Sequence, residues 1–338
     1  MKKYSVRKEH IRELFKSFNN LHVLVIGDVM VDSYLWGNVS RISPEAPVPI
    51  VTIKQKEKRL GGAANVALNL QALGATPILC SVIGVDYEGL AFLDLLKQQK
   101  LSQKGILKSR ERITTVKTRV IGNNHQLVRV DEEWEEDIIA SETDQLLQLI
   151  SFILQHDKID VIIFEDYNKG LITNKIITKT VDLAKKLGIP IAVDPKKKNF
   201  LNYKGVTLFK PNLKELKEGL KTDIDADNLS ELQRMLSSFR HKQKIATILL
   251  TLAEKGICTN SRSVKEVLPA HFRNIADVSG AGDTVISVAA LCLALETNPI
   301  LTAALANLAG GLVCEQVGVV PLNKEQLLKE AFNLDFVR

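Results

Sequence analysis

His22-Val-Leu-Val-Ile-Gly27 is a short apolar run closed by a glycine, and it reads as a strand buried on both faces. Five further runs read the same way: Thr76 to Ile83, Ile159 to Phe164, Ile189 to Val193, Val206 to Phe209 and Ala246 to Leu250. Helix-period stretches lie between them: Ala63 to Leu73, Tyr87 to Gln99, Glu142 to Gln155, Thr173 to Leu187 and Asn228 to Arg240. Such alternation predicts an α/β fold, a mostly parallel sheet with helices on both faces. Three helical segments, roughly 281–296, 299–317 and 323–332, close the chain.

Two stretches break this rhythm. Ser33 to Lys56 holds Pro44, Pro47 and Pro49 among alternating Val48, Ile50, Val51 and Ile53. Thr114 to Asp131 alternates too, through Val116, Arg119, Val120, Leu127, Val128 and Val130. Both read as β excursions, 33–56 and 114–131, that could pair into a small lid over the strand ends; ordinary edge strands of the main sheet are the alternative. No internal repeat or long linker divides the chain, so 1–338 is expected to be one domain with a lid.

The 338 residues are 45% hydrophobic and 25% charged, which excludes a wholly disordered chain, a collagen and a coiled coil. Lys and Arg outnumber Asp and Glu by 45 to 39, for a formal net charge of +6. That favours small anionic partners such as nucleotides or sugar phosphates. The lysines are dispersed, so nucleic acid is not expected. Cys80, Cys258, Cys292 and Cys314 lack metal-ligand spacing and sit among apolar neighbours, as buried thiols in a reducing compartment do. The first twenty residues are charged and look helical, unlike a signal peptide. The longest apolar run, Thr284 to Leu295, is about twelve residues, short of the roughly 20 that span a bilayer. A cytoplasmic protein that does not enter membranes is expected.

The strongest chemical signal is Asp277-Val-Ser-Gly-Ala-Gly-Asp-Thr284, which opens an apolar helix. Gly280 and Gly282 allow a tight turn, Ala281 lies between them, and the helix N-terminus that follows is an anion site. Asp283 beside that site is placed to take a proton from an attacking hydroxyl; the alternative is a helix cap. No Walker A loop, dinucleotide fingerprint, H-E-x-x-H or G-x-S-x-G occurs. Gly61-Gly62-Ala-Ala-Asn65 places donor and acceptor groups at a helix start, as sugar hydroxyls require. Gly27-Asp28-Val-Met-Val-Asp32 sets two carboxylates past the first strand, where ligands of open α/β sheets bind. Asn212-Leu213-Lys214-Glu215 places Asn and Glu on one helix face, where they could orient hydrated Mg²⁺, although Asn212 also suits an N-cap. Thr251-Leu-Ala-Glu254-Lys-Gly256 is a turn that could hold a ribose or a phosphate.

In this order these sets resemble the PfkB, or ribokinase-like, carbohydrate kinase family over about residues 20–330. The resemblance implies a doubly wound α/β body, a β lid over the sugar, and ATP with Mg²⁺ at the C-terminal edge of the sheet. It implies that Asp283 is the catalytic base and Gly280, Ala281 and Gly282 the anion hole. It assigns Asp28, Asp32, Gly62 and Asn65 to the sugar. Asn212 to Glu215, Thr251, Glu254, Gly256 and Asn307 fall to the nucleotide, with Glu215 reaching Mg²⁺ through water.

A narrower likeness rests on Arg41-Ile-Ser-Pro-Glu-Ala-Pro-Val-Pro49, Gln126-Leu-Val-Arg129 and Val193-Asp-Pro-Lys196. These resemble the kinases of D-glycero-β-D-manno-heptose 7-phosphate, which make the 1,7-bisphosphate for ADP-heptose and lipopolysaccharide. The chain has no H-x-G-H, so the likeness is to the kinase half of the bifunctional proteins or to a stand-alone kinase. Lys197, Asn199, Glu165, Asn168 and Ala253 depart from the usual residues in the substrate and nucleotide pockets. A sugar 7-phosphate needs cationic donors at the far end of the sugar from Asp283, and Arg119, Arg129 and Lys196 are the candidates. The apolar residues of the excursions predict a homodimer through the lid. Phosphorylation of another sugar and a catalytically idle sugar sensor are the competing readings.

Overall fold

The computed structural model describes residues 5–271 and 273–337. Residues 1–4 of the expected N-terminal helix lie outside these, and Lys8–Ser17 form α1. The first half of the chain continues with β1 (His22–Gly27), β2 (Val29–Ile42), β3 (Pro49–Gly62), α2 (Ala63–Ala72), β4 (Thr76–Gly84), α3 (Tyr87–Gln98), β5 (Ile106–Ser109), β6 (Val116–Gly122), β7 (His125–Glu132) and α4 (Ala140–His156). The second half holds β8 (Val161–Glu165), α5 (Asn174–Leu187), β9 (Ile191–Asp194), β10 (Leu208–Phe209), α6 (Leu213–Leu220), α7 (Leu229–Gln243), β11 (Thr247–Thr251), β12 (Ile257–Ser261), β13 (Lys265–Leu268), α8 (Ala281–Ala294), α9 (Pro299–Val313) and α10 (Lys324–Ala331).

The six expected buried strands all enter one nine-stranded sheet, in the order β13-β12-β11-β10-β9-β8-β1-β4-β5. Neighbours from β11 to β5 are parallel; β12 and β13 add an antiparallel edge hairpin. In β1, Val23 and Val25 enter a core with α2, α8 and α9, whereas Leu24 and Ile26 enter a second core with α4, α5 and α7. Burial on both faces is why the strand reads as an unbroken apolar run. From β1 the chain winds to β4 and β5 on one side, then returns to β8 and continues to β11 on the other. The winding reverses between β1 and β8. There the strand ends, Gly27, Glu165 and Asp194, open the crevice in which such sheets bind ligands.

The two excursions form a separate four-stranded sheet, β3-β2-β6-β7, and are not edge strands of the main sheet. The sheet is longer than expected, because β2 and β3 pair from Val29 opposite Gly62 out to Ile42 opposite Pro49. It therefore springs directly from β1 and α2. Pro49 opens β3, a position that tolerates a missing donor. One face carries Val31, Leu60 and Val116, buried against the body, and farther out Val128 and Val130, each 50% exposed. The other face carries Asp32, Tyr34, Arg59, Lys117, Arg119, Arg129 and Asp131.

Asp28 joins the two sheets. Its carbonyl accepts a hydrogen bond from Ala63 N at 2.9 Å, which closes the β2–β3 excursion at its root. Its carboxylate is buried: Oδ2 accepts from the amides of Tyr167 and Lys169 at 3.0 and 3.1 Å, and Oδ1 from that of Leu171 at 3.0 Å. Burial pushes this carboxyl above its ordinary range, while the amides and Arg112 pull against that. Asp28, expected at the sugar, thus binds three backbone amides of the loop after β8. Among the described residues no helix is long and apolar enough to cross a membrane. The four cysteines are buried and unpaired.

Removing this carboxylate strands three N–H groups, each at a cost of about 1–3 kcal/mol. Asp28→Ala is therefore expected to lose at least about 2 kcal/mol in urea unfolding. Amide exchange at Tyr167, Lys169 and Leu171 should accelerate ahead of the rest of the sheet. Unchanged protection at those three amides would contradict the clamp.

Candidate active site

Gly280 lies at φ 79°, in the left-handed region that glycine adopts without strain, and α8 begins at the next residue. The first-turn amides of a helix have no intrahelical acceptors, and its dipole is positive there, so the loop presents donors to an anion. A side chain at Gly282 would stand 3.5 Å from Lys210 Nζ and 3.6 Å from Asp194 Oδ2, so this turn faces charged groups closely.

Asp283 follows in the first turn. It does not cap the helix; Gly280 holds the N-cap position, without a side-chain bond. Asp283 is only 6% exposed. Its Oδ2 accepts from Asn65 Nδ2 at 2.6 Å and its Oδ1 from the Tyr167 hydroxyl at 2.8 Å. Burial raises the carboxyl to about 6, and nearby Asp194 adds to this; Asn65, Tyr167 and Lys210 oppose it. Such a group changes protonation state near neutrality, as a general base for a hydroxyl requires. Asn65, expected at the sugar, is thus a direct partner of Asp283. Its own Oδ1 accepts from Asn69 Nδ2 at 3.4 Å. Gly62 lies at φ 60° and turns the chain from β3 into α2.

A cavity of about 1330 Å³ opens beside Asp283. Asn212, Leu213, Lys214, Glu215, Thr251, Glu254, Gly256 and Asn307 all line it, together with Gly280, Ala281 and Gly282. Distant segments converge here because the strands before them end at one edge of the sheet. Asn212 and Glu215 form a reciprocal capping box at the start of α6: Asn212 Oδ1 accepts from Glu215 N, and Glu215 Oε2 accepts from Asn212 N, both at 2.8 Å. The other oxygen of Glu215 pairs with Lys196. Among the described residues no three His, Cys, Asp or Glu side chains cluster as a metal cage. At this edge the buried oxygens Asp194 Oδ1 and Glu165 Oε2 have no hydrogen-bond partner among the described residues, and β8–β9 register sets these residues side by side. Oxygen donors of this kind fit a hard cation that arrives on phosphates and keeps much of its water.

Asp194 Oδ2 pairs with buried Lys210 at 2.7 Å. Burial works against the Lys210 charge, but Asp194 and Glu215 outweigh it and hold its affinity for the proton above the usual value. Glu165 is pushed well up, first by burial and then by Asp194 and Asp283. Sequence reading did not single out Tyr167, Asp194 or Lys210 as site residues, and named Glu165 only as a departure from the family pattern. A systematic search of strand C-termini would have found the last three; nothing local marks Tyr167.

On the polar face of the second sheet, Asp32 Oδ1 accepts from Arg119 Nη1 at 2.5 Å. The guanidinium groups of Arg59 and Arg119 lie 4.8 and 5.3 Å from the Tyr34 ring. Arg59 Nη1 donates to Val319 O at 3.5 Å, and Val319 in turn lies against Gly280, so this face adjoins the glycine loop. Arg129 stands opposite Arg119 but is half exposed and pairs with Asp131 at 2.9 Å. Lys196 lies elsewhere, across the Tyr167 ring. It lines the cavity with Asp283 and Glu215, its Nζ 5.6 Å from the Tyr167 ring. It follows β9, whose C-terminal end points into that cavity. Of the departures from the family pattern, Asn199 is buried and donates to Asp166 Oδ2 and Ile172 O at 3.1 and 2.7 Å, a structural duty.

The model of the pfkB family of carbohydrate kinases matches residues 20–326. The bifunctional protein HldE of Helicobacter acinonychis is 39% identical over 90% of this chain and 65% of its own length. HldE of Syntrophotalea carbinolica is 36% identical over 95% of this chain and 65% of its own. The chain thus spans about two thirds of the length of these relatives. Phosphofructokinase-2 from Escherichia coli in complex with potassium superposes with a TM-score of 0.75 at 17% identity, covering 93% of this chain and 98% of that one. Arabidopsis thaliana ribokinase complexed with ribose and ATP gives 0.67 at 16% identity, over 91% and 99%. These structures share the fold. A near-neutral carboxylate at a glycine turn beside a large cavity suits phosphorylation of a hydroxyl, and the family match spans both: the chain belongs to the pfkB family of carbohydrate kinases.

Proposed function

We propose that the protein transfers the γ-phosphoryl group of ATP to the anomeric C1 hydroxyl of D-glycero-β-D-manno-heptose 7-phosphate. The product is the 1,7-bisphosphate, made in the cytoplasm for ADP-heptose and lipopolysaccharide core synthesis. The observation that carries this is Asp283, buried at the N-terminus of α8 between the glycine turn and Lys210, with a carboxyl that titrates near 6. Kinship with the HldE proteins and the Arg41–Pro49 motif support the heptose 7-phosphate. The ribokinase crystallised with ribose and ATP supports the nucleotide.

In this reading Asp283 takes the C1 hydroxyl proton as the oxygen attacks the γ-phosphorus. The bond from that phosphorus to the bridging oxygen breaks, and ADP leaves. First-turn amides of α8 and Lys210 offset the charge on the transferring group, and the water-excluding site strengthens both effects. Asn212 to Glu215, Thr251, Glu254, Gly256 and Asn307 hold ATP. Mg²⁺ bound with ATP supplies further positive charge, and Glu215 through water, with Asp194, would hold it. The second sheet acts as the lid. Asp32, Arg119 and Arg59 on its inner face hold the sugar phosphate. Val128 and Val130, on the opposite face beyond the part buried against the body, support a homodimer built lid to lid.

A coupled ADP-release assay across heptose 7-phosphate, fructose 6-phosphate, ribose and fructose tests the substrate; preference for another sugar overturns the heptose. Asp283→Asn should cut kcat by about 10²-fold or more while ATP still binds. The folded-state carboxyl titrates above its unfolded value of 3.8, so its charge costs stability at neutral pH, and the Asn variant should melt no lower than the parent. In the parent, kcat/KM should fall as pH drops through about 6. An Asp283→Asn protein with near-full turnover would remove the mechanism.

Arg119→Ala should raise KM for the sugar phosphate about tenfold and spare that for ATP, whereas Lys196→Ala should do the reverse. An unchanged sugar-phosphate KM in Arg119→Ala refutes that subsite. Light scattering at micromolar concentration should give a dimer mass, and a monomer would exclude the lid pairing.

A further inference from the structure

The reaction as described does not use Tyr167, yet this residue reaches the base directly. Its hydroxyl donates to Asp283 Oδ1 at 2.8 Å, and its ring lines the cavity with Lys196 Nζ 5.6 Å away. The backbone beneath it is fixed, because the Tyr167 amide donates to Asp28 Oδ2 and the Lys169 and Leu171 amides bind the same carboxylate. The end of β1 thereby sets where the phenol points.

We propose that Tyr167 is the positioning residue of the base: its hydroxyl holds the Asp283 carboxylate in one orientation and tempers its affinity for the proton. The terminal torsion of an aspartate is soft, and a single donor leaves the group free to swing. Asn65 on Oδ2 and Tyr167 on Oδ1 together fix its plane. Each oxygen keeps a second lone pair for the substrate proton. The other charged groups that face this carboxylate are Glu165 on β8, Asp194 on β9, Lys210 after β10 and, across the Tyr167 ring, Lys196. The two carboxylates favour protonation of Asp283, and the lysines oppose it. Tyr167 opposes it without adding charge, because burial keeps the phenol protonated and donating.

The inference rests on Asp283 being the base. Its test is the pH dependence of kcat/KM in the full chain, in Tyr167→Phe and in protein with a ring-fluorinated tyrosine at 167, with Asp283→Asn alongside. Tyr167→Phe loses a donor, so the acidic limb should move up by about half to one pH unit. Its kcat at neutral pH should fall about tenfold, with KM for ATP changed less than about threefold. The fluorinated phenol is a stronger donor and should move the limb down. Opposite shifts from nearly isosteric changes are not what a merely structural tyrosine gives. If Tyr167→Phe does not fold, the fluorinated protein decides alone. A limb that stays in place while Asp283→Asn abolishes turnover overturns the role of Tyr167 and leaves the base intact. Turnover in Asp283→Asn overturns both.

Discussion

The carboxylate of Asp28 accepting three backbone amides is the interaction on which the site depends. It lies where the chain leaves the main sheet for the second one, and it pins the loop after β8 across the point where the winding reverses. That loop delivers Tyr167 to Asp283, and the carbonyl of Asp28 closes the root of the β2–β3 excursion on α2. The base, the second sheet and the strand that reads first in the sequence therefore share one anchor. A buried carboxylate is costly unless its oxygens are satisfied, and here the backbone satisfies them.

The chemistry follows from charge held at low dielectric. Glu165, Asp194 and Asp283 crowd the C-terminal edge of the sheet against two cations, Lys196 and Lys210. The loss of water, and after it the charge of Asp194, lift Asp283 toward neutrality; the Asn65 and Tyr167 bonds limit the rise. The same crowding leaves Asp194 Oδ1 and Glu165 Oε2 without hydrogen-bond partners among the described residues, beside a cavity whose glycine turn presents amides. Anions enter on the amide side of this cavity and cations suit the carboxylate side.

Much of this was legible in the chain, for reasons that differ by element. β1 and its parallel neighbours are apolar on both faces, and α2, α3, α5 and α7 carry their own periodicity and end signals, so local pattern sufficed to within three residues. The β12–β13 hairpin, an edge element with mixed faces, carries no such pattern, and β5 is four residues long. The prolines and alternation of 33–56 marked the excursion, but only long-range pairing from Val29 to Gly62 set its true extent.

The sequence by itself determined the six buried parallel strands, the glycine turn before α8 and Asp283 at its start, because turn chemistry and buried periodicity are local properties. The tertiary structure decided which side chains touch the base. Asn65 reaches Asp283 across 218 positions of sequence and Tyr167 across 116. It likewise set three backbone amides on the Asp28 carboxylate and Lys196 in the lining of the cavity. Those outcomes depend on where strand ends meet at the reversal of the sheet, and no local pattern encodes such distances.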